Sequence, residues 1–460
     1  MLKLPKLPEE VWKLIFEYLN GPEILNVSKV CRNFYEIVNK SSKLAGKLIL
    51  NFEKRKNYGR MGRRRYSQVK IEYIDPAIHN SILKFIGHDI TKLEFCVHNF
   101  KLDLIRQILM LCENVKILKF RDIQRLHGTQ EVTNWLKIPN YKNIELSVEQ
   151  CDPRIFKILK NVQVKKFCTT CVEFAHRQYF VDLVKFLASQ EELEELVLAE
   201  FMGSIVGLGL VLFSNDSLCN VKFRLKKLHL KSNQLIPYGN ISSVQFFEDF
   251  MNLHKDTLED LQADMLQDFD FSAYVSECRV LKSLSIGIEM RFSSKMIVES
   301  IDKLETEHVR MNLLKSFPNL KEVRLLNSWM DQDDDLVKWS LLRNCKFLDK
   351  IEIEDVPLDD FPSLPTVKSM KFLFYPSIKS EVFARNPQIE ELTFIECKDM
   401  WTRKSKVLKI IIDYMKNLKS LKIVSRSKID QSAIDYVRNK CTNLKYFNVY
   451  KDQDCHVLWT

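Results

Sequence analysis

Along most of this chain the apolar positions follow two alternating rhythms. The short one, apolar–x–x–apolar–x–apolar, predicts a strand with alternate side chains turned inward. The longer one, with apolar residues three and four apart, predicts a helix before the next strand. The clearest short copy is LKKLHLKSNQL, where Leu225, Leu228 and Leu230 are followed by Asn233 and Leu235. LEELVL around Leu196, LKSLSI around Leu284, LKEVRL around Val323 and LDKIEI around Ile351 repeat it. So do IEELTF around Leu392, LKSLKI around Leu421 and LKYFNV around Phe447. Weaker copies centre on Leu93, Leu118, Ile144, Phe167, Leu261 and Met370. LDLIRQILMLCENV, FVDLVKFLASQEEL, LVKWSLLRNCKFL and VLKIIIDYMKNL supply the helical stretches.

These fourteen units recur about every 27 residues, and the asparagine after the strand completes the signature of a leucine-rich repeat. The steps are uneven, longest from Leu284 to Val323 and shortest from Ile351 to Met370. The fold class predicted for residues 85–460 is α/β: a leucine-rich-repeat solenoid, a curved parallel sheet with helices on its convex side. No unit buries its apolar face alone, so stacking is obligatory. Cys112, Cys278, Cys345 and Cys441 each stand six residues before a middle anchor. Cys151 and Cys397 each stand three after a last strand anchor, Val148 and Phe394. Small, weakly polar residues at fixed turn positions predict packing ladders, and the pattern resembles the cysteine-containing subclass of these repeats.

The N-terminus follows a different rule. In LPEEVWKLIFEYL, residues Val11, Leu14, Ile15, Tyr18 and Leu19 form one helical face, and Trp12 and Phe16 widen it beyond an ordinary stripe. Glu10, Lys13, Glu17 and Asn20 share a narrow polar strip, on which Lys13 and Glu17 are spaced to pair. Pro8, Glu9 and Glu10 suit the first turn, and Gly21 suits a left-handed C-cap. Such a helix has more apolar surface than one neighbour covers. In the next segment Val27, Val30, Cys31, Phe34 and Val38 predict a single further helix. Residues 1–48 then make a helical cluster near the lower size limit for independent folding. Residues 49–84 read as a linker carrying a basic loop, 54–65.

LPEEVWKLIFEYL…PEILNVSKVCRNFYEIV resembles the F-box, which opens with Leu-Pro and acids, continues Ile-Phe-x-Tyr-Leu and closes with Val-Cys-Arg-x-Phe. The match runs without a gap from Leu7 to Val38. Leu44 and Ala45 depart from the Leu-Trp pair with which many F-boxes continue. The resemblance implies a non-catalytic subunit of an SCF-type cullin-RING ubiquitin ligase. Its F-box would dock the Skp adaptor, and its repeats would capture a protein substrate. By motif position it assigns docking, or the core beneath it, to Leu7, Pro8, Val11, Ile15, Leu19, Leu25, Val30, Cys31 and Phe34. Periodicity admits an alternative, in which the first helix caps the repeats of a scaffold or inhibitor outside any ligase.

Composition narrows the choice. At 460 residues and 46% hydrophobic, the chain has material for a large core. The net charge of +10 suggests nucleic acid until it is located: the run Lys54–Arg65 holds seven basic residues and no acid. Gly59 and Gly62 within it favour a solvated loop over a nuclear-import signal or a polyanion contact. Twelve cysteines without a secretory signal predict free thiols in the cytoplasm or nucleus. The longest apolar run, Ile205 to Phe213, is too short to span a bilayer.

Cys168 and Cys171, with His176 nearby, have zinc-like spacing but no second pair. Asp331, Asp333, Asp334 and Asp335 lack the glycine and spaced glutamate of a calcium loop, and read as the solvated start of a helix over Leu336–Leu342. There is no Walker loop, GxSxG or HExxH, so no cofactor and no catalytic residue are predicted. Strand positions one before, one after and three after each middle anchor face away from the core. Their formal charge sums to about +1, which fits protein recognition better than a nucleic-acid groove. Lys227, His229, Lys231, Asp260, Asp264, Tyr446 and Tyr450 are the substrate-contact candidates.

Overall fold

The computed structural model describes residues 7–53, 64–73, 76–127, 140–152, 154–170, 177–199, 216–230, 241–263, 271–287, 292, 296–327, 338–375, 378–397, 411, 413–425 and 431–451. The chain divides into two compact units, Met1–Leu253 and His254–Thr460.

The first unit opens with four helices: α1 (Glu9–Glu17), α2 (Gly21–Val27), α3 (Arg32–Lys40) and α4 (Ser42–Ala45). The single helix expected across Val27–Val38 is broken. The Ser28 hydroxyl donates to the Leu25 carbonyl at 2.7 Å, competing with the backbone, and Cys31 is extended at φ −157°. Gly21 does not cap α1 but begins α2. Asn20 and Glu23 form a reciprocal capping box there, at 2.8 and 2.9 Å. Glycine is required at position 21 by close approach, since a Cβ would lie 2.3 Å from the Lys47 carbonyl oxygen. Lys13 pairs with Glu9 at 3.0 Å instead of Glu17, which α4 supplies with Lys43 at 2.5 Å.

Among the described residues, eight strands of one long parallel sheet follow in this unit. The register Leu50↔Val69↔Leu93↔Leu118↔Leu146↔Phe167↔Leu196↔Leu228 runs through all of them as one column of inward residues. Two corrections emerge. Residues 49–84 are not a linker: strands Ile49–Phe52 and Gln68–Ile71 join the sheet and helix Pro76–Ile86 follows. Their four-residue length, split by the basic run, hid the pattern. The anchor of the fifth strand is Leu146, two beyond Ile144, since Leu146 pairs with Leu118 on one side and Phe167 on the other.

The second unit carries nine strands, with the column Leu261↔Leu284↔Leu304↔Val323↔Ile351↔Met370↔Leu392↔Leu421↔Phe447. Leu304 resolves the longest step into two ordinary repeats. Its unit was concealed because buried Thr306 occupies the third anchor position, where the pattern calls for an aliphatic residue. Among the described residues the long parallel sheet thus has 17 strands.

The expected helices Leu102–Leu111 and Arg177–Ala188 are present, whereas the described residues of LVKWSLLRNCKFL form only the 3₁₀ segment Trp339–Asn344. Residues 407–410 and 412 of VLKIIIDYMKNL, like Asn233, lie outside the described residues.

Polar side chains clip neighbouring repeats together. The Tyr141 hydroxyl lies 2.7 and 2.8 Å from the Leu109 and Cys112 carbonyls at a helix end, its one proton shared between them. Buried Asn386 accepts from the Leu364 N–H at 2.8 Å and donates to the Pro362 and Val382 carbonyls. The six cysteines at turn positions do pack: five are buried and Cys441, in the last described repeat, is half-buried. All ten described cysteines are free thiols. Burial pushes Cys112 up to about 12 and Cys345 up to about 11, so these thiols stay protonated and inert.

Five strands end in a left-handed residue that is not glycine: Asp122, Gln150, Asp355, Phe374 and Glu396, with φ between 51° and 62°. Each occupies the same place, four after its anchor. Each N–H reaches the carbonyl of the next strand's end, as Glu396 reaches Val424 at 2.8 Å. The extra ladder bond holds a conformation that costs about 1–2 kcal/mol for an L-residue. Glu396→Asn is therefore expected to stabilise the second unit by about 0.5–1 kcal/mol, and Glu396→Ile to destabilise it by at least that much. Denaturant midpoints of both variants check this; shifts of the same sign would refute it.

Candidate functional site

Helix α1 has two apolar faces with different fates. On one, Trp12 and Phe16 turn toward α3, with ring centroids 4.7 and 5.0 Å from Phe34. Phe16, Ile24, Phe34 and Ile37 are buried and form the centre of the small helical domain. The other face, Leu7, Val11, Leu14, Ile15 and Tyr18, is exposed; Leu14 is 59% and Tyr18 91% accessible. Val30, in the turn between α2 and α3, is 61% accessible. So many bare apolar side chains on one short element mark a contact surface. Burying a residue of this size against a partner is worth roughly 1.5–3 kcal/mol.

The sequence candidates sort accordingly. Leu7, Pro8, Val11, Ile15 and Val30 are exposed, Leu19, Leu25 and Cys31 are half-buried, and Phe34 is core. Leu14 and Tyr18 belong with the exposed set. Their stripe spacing was visible, but carry-over by motif position passed them over.

The domain is bolted to the repeats behind it. Only Gly46–Leu48 separates α4 from the first strand. The Lys47 ammonium donates to the Glu17 and Leu19 carbonyls at 2.5 and 2.9 Å, a cation placed at a helix C-terminus. Gln68, on the second strand, donates to the Gly46 carbonyl at 2.7 Å. The described end of the basic run is tied down as well, with Arg64 over the Tyr35 ring at 5.0 Å. Arg65 approaches Asp89 at 3.8 Å. Residues 54–63 lie outside the described residues.

The strand faces turned away from the core form the second candidate surface, and their charges are largely spent on one another. In the first unit Arg121 bridges Glu94 and Glu149, and Lys166 bridges Glu145 and Glu195. In the second unit Glu322 bridges Lys303 and Lys350, and Lys371 pairs with Glu352. Arg324 meets Glu305, Glu352 and Glu354 between 2.8 and 3.1 Å. Burial opposes the charge on Arg324, but these glutamates outweigh it and hold its pKa above the ordinary value. Burial likewise pushes the Glu322 carboxyl up, and Lys350 and Lys303 more than reverse it, leaving the pKa lowered. Signs alternate from strand to strand, which explains the near-zero sum.

Of the substrate-contact candidates, Lys227 and His229 are half-buried on strand Lys227–Leu230 of the first unit. Half-buried Asp260 opens the second unit's first strand, while exposed Tyr446 and Tyr450 stand on its last, Tyr446–Lys451. The two tyrosines share one face of that last strand, and Asp260 stands on the first strand of the same unit, away from them. Lys231 and Asp264 lie outside the described residues, as do Cys171, His176 and Asp331–Asp335. Among the described residues no group of three or more His, Cys, Asp or Glu could hold a metal ion. No described helix is long and apolar enough to cross a membrane.

Comparison with known proteins adds the following. A family model described as the F-box domain matches residues 4–45. No curated protein matches the chain. Among solved structures, the yeast Rad7–Elc1 complex is similar at 12% identity and TM-score 0.39, over 86% of this chain and 90% of that one. The mouse RP105/MD-1 complex is similar at 11% identity and TM-score 0.38, over 84% and 69%. A leucine-rich-repeat protein of Leptospira interrogans is similar at 12% identity and TM-score 0.30, over 89% and 92%. The chain is an F-box domain, at residues 4–45, joined directly to a long parallel array of leucine-rich repeats.

Proposed function

We propose that this protein is the substrate-recognition subunit of an SCF-type ubiquitin ligase. One observation carries the reading: an F-box whose first helix is anchored by Trp12 and Phe16 on one side and bare along Val11, Leu14, Ile15 and Tyr18 on the other. F-box domains generally bind the Skp adaptor, and an exposed apolar helix face suits docking into an apolar groove. The repeats offer a broad array without catalytic machinery among the described residues, the kind of surface that binds other proteins. The chemistry is then proximity. The receptor performs no bond-making step; it raises the effective concentration of substrate lysines near the charged ubiquitin carrier. The Lys47 and Gln68 contacts suit this role, because a firm joint preserves geometry that a loose one averages away. A cytoplasmic or nuclear location goes with the reading.

Co-purification tests it. The full chain is expected to retain the Skp adaptor through affinity and size-exclusion steps, and a chain lacking Met1–Val38 to lose it. A full chain that stays soluble and monomeric and ignores the adaptor would instead point to a scaffold outside any ligase.

A further inference from the structure

The last described strand, Tyr446–Lys451, pairs on one side only among the described residues, with Ser420–Ser425. The Tyr446 N–H donates to the Lys419 carbonyl at 3.0 Å, so residues 446, 448 and 450 turn their backbone groups toward that neighbour. Alternation leaves the groups of Phe447, Val449 and Lys451 pointing outward. The side chains tell the same story. Leu421 and Ile423 are buried at 0% and 1% exposure, while their counterparts Phe447 and Val449 are only half-buried. Beside them lies a depression of about 320 Å³, lined by Gln431, Ile434, Arg438, Phe447, Val449 and Tyr450.

The charge around this edge is one-sided. Lys422 sits 5.4 Å from the Tyr450 ring and Arg438 5.8 Å from the Phe447 ring, with exposed Lys440 and Lys445 nearby. The nearest helix acid, Asp435, accepts a hydrogen bond from Gln431. Along the preceding strands such cations are matched by glutamates; here, among the described residues, they are in excess.

We infer that the outer edge of Tyr446–Lys451 receives an extended acidic segment of the captured protein as an added strand. The inference rests on reading the repeats as the capture surface. Main-chain bonds to Phe447 and Val449 would supply affinity. Apolar side chains on one face of the segment would fill the depression against Ile434 and Val449. Acidic side chains on the other would meet Lys422 and the tyrosine hydroxyls.

The test uses the full chain in complex with its adaptor and two fluorescein-labelled hexapeptides, EVEVEV and KVKVKV. Fluorescence anisotropy is expected to show EVEVEV binding at least about tenfold more tightly than KVKVKV. Lys422→Glu, at the cation the acidic side chains would meet, should weaken EVEVEV about tenfold. Val449→Pro should do the same by removing an outward N–H, a change edge strands tolerate. If Val449→Pro lowers the melting temperature, Lys422→Glu, at a half-exposed position, carries the test. Equal affinity for both peptides, or indifference to Lys422→Glu, overturns the inference. So does binding that appears only once residues 452–460 are removed, which would make the chain its own occupant. Concentration-dependent self-association abolished by Val449→Pro overturns it too, in favour of a second copy. Adaptor retention is scored in the same preparations, so failure of the ligase reading and failure of the edge site are told apart.

Discussion

Aspartate at both Val11 and Ile15 is expected to abolish adaptor binding while leaving the protein as stable as before. The two residues are 36% and 41% exposed, on the face of α1 that turns away from Phe34. In the free protein a carboxylate there remains in water. In a complex it would be driven into an apolar groove without a partner, which costs far more than the lost contact. Truncating one central interface residue typically costs about 2–4 kcal/mol, so the double replacement should weaken binding by at least about a thousandfold. Titration calorimetry against the Skp adaptor reads the affinity and thermal unfolding the stability. Phe34→Ala is the opposite control. It removes a buried ring from the Trp12–Phe16–Phe34 cluster and should cost about 3–5 kcal/mol of stability in the small domain. If the aspartates lower stability and spare binding, the exposed face is not the docking face.

The second large effect concerns the joint. Gly21→Ala places a methyl group 2.3 Å from the Lys47 carbonyl oxygen, a contact between backbones that no side-chain rotation relieves. Overpacking of this sort costs about 1–3 kcal/mol, and a backbone clash belongs at the upper end. The displaced segment is the one whose Lys47 ammonium holds the Glu17 and Leu19 carbonyls, so α1 and α4 should loosen together. Limited proteolysis should then cut near residues 46–48, which the parent resists. Lys47→Met keeps the stem and deletes the ammonium; it should raise cutting there without the steric cost. Unchanged cleavage in both variants would show that the joint does not depend on these contacts.

How much of this could be read in advance depended on the physical source of each signal. Both apolar faces of α1 were legible because helical periodicity is local, as was the repeat, because every strand needs inward anchors at fixed spacing. The Leu304 repeat escaped because buried Thr306 fills an apolar anchor's place. The two strands before Leu93 escaped because four residues carry little periodicity. Gly21 was misassigned because a glycine after a helix ordinarily serves as its cap, and only Lys47, far along the chain, shows why it is needed. The outward-facing positions could be read from strand alternation, but the partners of their charges on neighbouring strands were not visible. Lys371 and Glu352 are brought together only by the register.

Apolar spacing in the chain was enough to specify the class of architecture and an N-terminal helix with one face too many, since those properties come from backbone geometry within a few residues. Tertiary structure was needed to decide which face stays bare, where the repeats begin and which charges cancel. Those outcomes depend on contacts between segments distant in sequence, and local periodicity carries no record of them.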